Sequence, residues 1–392
     1  MITLEENQAW TRVGKGTPGG EMLRRYWWPV TFGSLVQGKR PKKIRLLGED
    51  FVVFRDGKGR LGMIEPNCAH RRAPMQYGRV EEDGIRCCYH GWKFDTTGKC
   101  LETPCEEPDS NLKERVAMKA YPVQEVAGLV FAYIGDTPAP LLPKYDLLVH
   151  EKSATRYVYG NANNCNWVQT AENAADATHI NWLHAGPYPM SAAKRPKIEF
   201  DQREYGLDCT TLVPGMGEDR NSDKCSSLIF PCHNRFASAR TEQGAARQNM
   251  IFRVPEDDHK TLNFFITLIP RDDGKFEHKS ETTPERKFRG PWVENQRFVY
   301  APGDEDWWGV TSTDQDRMVL EGQGLIYDRS NETLASSDRG VAMYRRMLKE
   351  SLAAVAEGRD PRGIVRDPAK NVVVEFGTRL FTLTRELQVE AV

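Results

Sequence analysis

Cys68-Ala-His70 and Cys87-Cys-Tyr-His90 each place a thiol and an imidazole within a few residues, and sixteen residues separate the two clusters. Four metal-ligating side chains at such spacing constrain a fold strongly, because both loops must be tight and must face each other. A tetrahedral zinc site with two Cys and two His satisfies the same count. Zinc fingers, however, usually group like with like, whereas here each loop carries one of each. That mixing suits a 2Fe-2S cluster in which one iron takes both thiolates and the other both imidazoles. Exchanging two thiolates for neutral imidazoles removes negative charge and raises the reduction potential, so the cluster would serve as an electron port. Nine cysteines in 392 residues are too sparse for a disulfide framework. Those at 88, 100, 105, 165, 209, 225 and 232 read most simply as buried thiols.

The clusters lie in a β-rich region. "EDFVVFRDGKGRLGMIE" is two strand-like runs around Asp56-Gly57, and further short strands are expected in "GIRCCYHGWKFDTTGKC" and "GLVFAYIGD". The Pro-rich "GDTPAPLLPKY" marks a junction. The predicted organisation is α+β: an N-terminal segment with an all-β cluster domain over 1–145, then an α+β domain over 146–392 with an antiparallel sheet flanked by helices. The glycines at 14, 16, 19 and 20 read as a lead-in loop before a short helix carrying Leu23, Tyr26 and Trp27, since no strand precedes them as a phosphate loop requires. The pattern predicts an amphipathic helix with apolar residues at 341, 344, 348, 352 and 355, stopped by Gly358. With 54 basic against 55 acidic side chains and no basic tract, no nucleic-acid partner is expected. No run approaches the roughly 18 apolar residues that span a bilayer, and the polar start differs from a signal peptide, so a cytoplasmic protein is expected.

A second constellation follows the junction. "AENAADATHINWLH" places Asn173, Asp176, His179 and His184 on a predicted helix that stops at Gly186-Pro187. Five residues at about 100° each put His184 some 140° around from His179, so a regular helix cannot aim both at one ion. The helix must tighten, bulge or end near Asn181. Two His and a carboxylate on one side of a metal form the site of non-heme Fe(II) oxygenases, with the remaining positions open. The carboxylate must come from far along the chain, and "TSTDQDRMVLEGQGLIYDRS" offers Asp314 and Asp316; the one not used would be a surface acid.

"CAHR" and "CYHGWKFD" resemble the signatures of the Rieske non-heme iron aromatic ring-hydroxylating oxygenases, alpha-type subunits. "MLRRYWWPV", "NCAHRRAPM", "CNW" and "DRSNETLASSD" resemble most the phthalate dioxygenase and aromatic O-demethylase branch. The resemblance implies that Cys68, His70, Cys87 and His90 bind the 2Fe-2S cluster, with Cys87 rather than Cys88 at the family spacing. It implies His179 and His184 as ligands of mononuclear Fe(II), and Asp316 as the third because it precedes Glu321 by five positions. Asp176 matches the bridging aspartate that joins an iron-bound His to a Rieske His of the next subunit, here His179 to His90, and Asn173 is a candidate close to the metal. A homotrimer or stacked trimers, a separate reductase with or without a ferredoxin, dioxygen and a small aromatic, carboxylated substrate are implied as partners. The chemistry implied is hydroxylation or O-demethylation; cis-dihydroxylation of an aromatic carboxylate uses the same ligands.

The stretch 186–260 is expected to be a loop lining the substrate pocket, with Arg195, Arg203, Arg235, Arg240, Arg247 and Arg253 as candidate carboxylate clamps. Trp182, Trp307 and Trp308 would instead suit an aromatic cage for a quaternary amine. A Rieske electron carrier without oxygenase activity is the alternative from another class; it would hold two irons per chain, against three for the oxygenase.

Overall fold

A computed structural model describes residues 2–184, 197–212, 224–240, 246–280, 292–293, 297–298, 312–374 and 376. The chain divides into Arg24–Pro140 and a discontinuous unit of Met1–Leu23 with Leu141–Val392. This differs from the expected 1–145 and 146–392: the first 23 residues belong with the second unit, and the junction falls at Pro140. The cause is packing. Helix α1 (Leu4–Thr11) is opened by a Thr3/Glu6 capping box. It buries Trp10 beneath the cations of Arg345 and Lys349, 5.9 and 5.8 Å from its ring. Helix α2 (Pro18–Leu23) lies so close to the preceding backbone that a Cβ at Gly19 would sit 2.6 Å from the Arg12 carbonyl and one at Gly20 2.1 Å from that of Gly14. These glycines permit close packing. The helix stops at Leu23, and Trp27 already opens strand β1 (Trp27–Phe32), so the expected helical grouping of Leu23 with Tyr26 and Trp27 does not form. Pro29 cannot sit inside a helix.

The Arg24–Pro140 unit is all-β apart from helix α3 (Leu112–Arg115) and short 3-10 turns. Strands β2 (Lys42–Leu46), β3 (Glu49–Arg55), β4 (Leu61–Ile64), β5 (Arg79–Glu81), β6 (Gly84–Arg86), β7 (Lys93–Phe94), β8 (Cys100–Glu102), β9 (Ala120–Tyr121), β10 (Val123–Val126) and β11 (Leu129–Tyr133) complete it. They form sheets in the orders β2-β3-β4-β9, β5-β6-β7-β8 and β1-β11-β10. The Asp56-Gly57 turn joins β3 to β4 as expected, the buried Asp56 carboxylate accepting the Arg60 N–H at 2.8 Å. Val52, Phe54, Ile64, Ile85 and Phe94 form a core that also contains Cys68, Cys87 and Trp92.

In the second unit strand β12 (Lys144–Tyr145) leads into helix α4 (Asp146–Val149). The main sheet takes β13 (Ala154–Asn163), β14 (Lys197–Arg203), β15 (Gly206–Leu212), β16 (Lys224–Ile229), β17 (His233–Arg240), β18 (Ala246–Asp257), β19 (Lys260–Pro270) and β20 (Phe276–Ser280). Its order is β14-β15-β16-β17-β18-β19-β13-β20. Most of 197–257 is therefore sheet rather than the expected loop. The sheet is antiparallel except where β20 adds beside β13 in parallel, which makes it mixed. Helices α5 (Trp167–Ala175), α6 (His179–Trp182), α7 (Ser312–Gly322) and α8 (Arg339–Ala356) complete the unit. The α8 helix buries Val341, Tyr344 and Leu348 and ends before Gly358 at φ +77°, as the periodicity predicts. The expected helix stop at Gly186-Pro187 lies outside the described residues, as does most of the C-terminal strand pattern. No helix among the described residues is long and apolar enough to cross a membrane.

A buried ion network fixes α5. Glu172 accepts Arg329 Nε at 2.8 Å and Arg345 Nε at 2.7 Å, and Arg329 Nη1 reaches the Asn7 side chain at 3.1 Å. Arg329 is fully buried. Removing one partner of a buried pair strands the other charge and costs about 3–5 kcal/mol. Glu172→Ala is therefore expected to lower the calorimetric midpoint of this unit markedly; an unchanged midpoint would contradict a structural role.

Candidate metal centres

The two Cys-His loops are closed by their own backbone. Cys68 N–H donates to Ala73 O at 2.8 Å and Cys87 N–H to Trp92 O at 2.8 Å, so each thiol sits at the base of a tight turn. Gly91, at φ +74°, allows the second loop to reverse, and Arg86 Nη1 donates to its carbonyl at 2.7 Å. Cys68 and Cys87 are buried, whereas Cys88 is exposed. Burial pushes the Cys68 thiol up to about 12, opposed by a backbone hydrogen bond at His70 and reinforced by the adjacent Cys87. The His70 and His90 rings lie 4.6 Å apart, and Trp92 stacks on His70 at 4.4 Å and 5°. His70 Nδ1 is buried with no hydrogen-bond partner. Two adjoining buried thiols and a buried orphan imidazole nitrogen are the donor set that a 2Fe-2S cluster satisfies. The other cysteines are not uniformly buried: Cys105 is exposed as well as Cys88, because both lie on loops rather than in the core, and the Cys225 side chain is outside the described set.

The second centre is built on a broken helix. Asp176 has an extended backbone (φ −93°, ψ 109°), and its Oδ1 accepts both Thr178 N–H at 2.8 Å and Thr178 Oγ1–H at 2.6 Å. This Asx-type turn ends α5 and starts α6 at His179. The Asp176 side chain, competing for helical backbone groups, causes that first break. The short α6 then ends at Trp182, so the helix stops beside Asn181 as expected, between His179 and His184. His179, His184 and Asp316 come together with ligand atoms all within 4.8 Å. Asp316 Oδ1 lies 3.2 Å from His184 Nε2 and 3.5 Å from His179 Nε2. A first-row metal with donors at about 2.0–2.2 Å holds cis ligands about 3 Å apart, so the group fits one ion. Burial opposes the Asp316 charge, but the His184 and His179 rings and the Asn173 amide outweigh it and hold the carboxyl below its ordinary value. Asn173 Nδ2 donates to Asp316 Oδ1 at 3.2 Å. Side-chain exposure is 6 % at His184, 18 % at His179 and 27 % at Asp316, so the carboxylate is the most accessible of the three.

Asp176 Oδ2 stands 3.8 Å from His179 Nδ1, which is buried without a hydrogen bond. Asp314 is not part of the group, and it is not the expected surface acid: it is buried, because it lies on the inward side of α7. Glu321 is buried as well, pairing with Arg317 at 2.6 Å and accepting Asn164 N–H at 2.8 Å, which ties α7 to the segment before α5. Among the candidate arginines, Arg235 is paired with Asp146 at 2.9 Å and Arg203 with Asp208 at 2.9 Å. Arg247 is exposed and Arg253 buried, while Arg195 and the Arg240 side chain are outside the described set. Trp182 is exposed, and Trp307 and Trp308 are not described.

Three residues with clear contacts escaped sequence reasoning. Gln315 Oε1 meets His184 Nδ1 at 2.8 Å. Gln169 Nε2 donates to Leu320 O and Gly324 O at 2.9 and 3.0 Å, holding α5 to α7. Trp92 stands two residues beyond His90, so its place in the motif was the available signal.

Residues 26–124 match the model of the Rieske [2Fe-2S] domain. The 5,5'-dehydrodivanillate O-demethylase oxygenase subunit of Sphingobium sp. is 34 % identical over 96 % of this chain and 87 % of its own. The tert-butanol monooxygenase / tert-amyl alcohol desaturase oxygenase subunit of Aquincola tertiaricarbonis is 48 % identical over 88 % and 76 %. The structure of Pseudomonas putida NdmA with caffeine superposes with a TM-score of 0.67 at 20 % identity, over 91 % of this chain and 98 % of that one, a likeness of fold. With a Rieske domain ahead of a His-His-Asp group and full-length likeness to oxygenase subunits, the chain belongs to the Rieske non-heme iron oxygenases, whose members carry a 2Fe-2S cluster and a mononuclear iron.

Proposed function

We propose that the chain is the terminal oxygenase component that uses dioxygen to hydroxylate or O-demethylate a small aromatic, carboxylated substrate. The observation that carries this reading is the convergence of two Nε2 atoms and one carboxylate oxygen on a single point. Bound there, Fe(II) supplies dioxygen activation, and the cluster held by Cys68, His70, Cys87 and His90 supplies electrons one at a time. The chain's own part is to present both imidazoles through Nε2, to keep Asp316 ionised, and to hold the Asn173 amide against that carboxylate. A separate reductase, with or without a ferredoxin, feeds the cluster. A homotrimer, single or stacked, brings Asp176 of one subunit between its own His179 and the His90 of the next.

If Asp176 serves as that link, Asp176→Asn keeps all three irons and the cluster spectrum but slows coupled turnover by roughly 10–100-fold. Stopped-flow reoxidation of the reduced cluster checks this, and wild-type rates in the variant would remove the role.

The 48 % identity to a subunit named for tertiary alcohols supports a second reading, in which the substrate is a small branched alcohol. Oxygen uptake and product analysis with labelled dioxygen over methoxybenzoates, phthalates and tert-butanol separate the two. Coupled turnover of a methoxybenzoate or phthalate supports the first reading, and coupled turnover of tert-butanol alone replaces it. Two labelled atoms in one product would mark cis-dihydroxylation.

A further inference from the structure

The two imidazoles of the His-His-Asp group are backed by different chemistry. Behind His179, Nδ1 faces the Asp176 carboxylate at 3.8 Å. Behind His184, Nδ1 meets a neutral amide, Gln315 Oε1, at 2.8 Å. Gln315 is fully buried, His184 is 5 % exposed, and Gln315 directly precedes Asp316 on α7. One short helical segment therefore carries both the carboxylate that faces His184 Nε2 and the amide that engages its Nδ1.

We infer that Gln315 is a positioning residue: its side-chain carbonyl accepts the Nδ1–H of His184 and so fixes the tautomer whose Nε2 lone pair points at the metal position. The alternative amide orientation would donate to Nδ1, move the proton to Nε2 and aim an N–H at Asp316 Oδ1, 3.2 Å away. That arrangement cannot ligate. The carbonyl-in orientation is thus the one compatible with a metal, and the amide keeps the site from acquiring a second carboxylate behind its imidazoles. Because a carboxylate there would make His184 a stronger donor, Gln315 keeps the group behind that imidazole neutral.

The inference rests on the Fe(II) reading and is tested on the full chain with its cluster loaded. Fe(II) affinity of wild type, Gln315→Leu and Gln315→Glu is measured by chelator competition, together with the EPR line shape of the ferrous nitrosyl complex. Gln315→Leu removes the acceptor and is expected to weaken Fe(II) by roughly 10–100-fold and to change the line shape, with the cluster spectrum unaltered. Gln315→Glu keeps an acceptor of the same length and is expected to bind at least as tightly as wild type. Wild-type affinity and line shape in Gln315→Leu would overturn the inference, as would equal losses in both variants, which would make Gln315 a packing residue. A wild-type chain that loads its cluster but takes up no further Fe(II) would overturn the functional reading as well.

Discussion

His184→Ala is expected to leave the visible spectrum of the cluster in place while abolishing both the mononuclear iron and substrate-coupled oxygen uptake. His184 Nε2 and His179 Nε2 share one carboxylate oxygen at 3.2 and 3.5 Å, so loss of either imidazole leaves two donors where three are needed to hold a divalent ion. Losing even an outer partner of a ligand typically costs roughly 10–100-fold in affinity or activity, and loss of a direct donor exceeds that. The ring belongs to a different unit from the cluster loops, so metal analysis should fall from three irons to two per chain without bleaching. A variant that retains three irons and turns over would remove His184 from the site.

The second large effect separates two neighbouring cysteines. Cys87→Ser should give a chain without the Rieske visible bands and without the low-temperature EPR signal of the reduced cluster, whereas Cys88→Ser should keep both. Cys87 is buried in the core with Cys68 and anchored through its N–H to Trp92 O, while Cys88 points to solvent. Bleaching by the Cys88 substitution instead would reverse the assignment. The loss in Cys87→Ser should also end turnover with any electron donor, because no route to the second centre then begins.

Both centres were legible where their geometry is local. Each cluster loop is a turn of a few residues closed by its own hydrogen bonds, so ligand type and spacing carried the information. The end of the helix between His179 and His184 followed from the angle per residue, and α6 stops at Trp182. The earlier break at Asp176 did not: it depends on whether the Asp176 carboxylate captures Thr178 or points elsewhere, a competition that periodicity does not report. Gln315 and the Glu172 network were invisible for another reason. Their partners stand far away in the chain: Gln315 meets His184 across 131 positions, and Glu172 meets Arg329 across 157. A buried glutamine beside an aspartate has the same signature as a solvated one until the fold brings the imidazole to it. The 186–260 stretch was misread as a loop because its strands are rich in polar and charged residues, several of which, such as Asp208 and Arg235, are buried in pairs.

The pairing of Asn7 with Arg329 also has a temporal side. On the ribosome, Arg24–Pro140 emerges as one uninterrupted stretch and can collapse, and take up its cluster, while the rest is still being made. The first two helices must wait: the guanidinium that receives Asn7 is translated some 320 residues later. Trp10 waits as long for the Arg345 and Lys349 side chains that cover its ring.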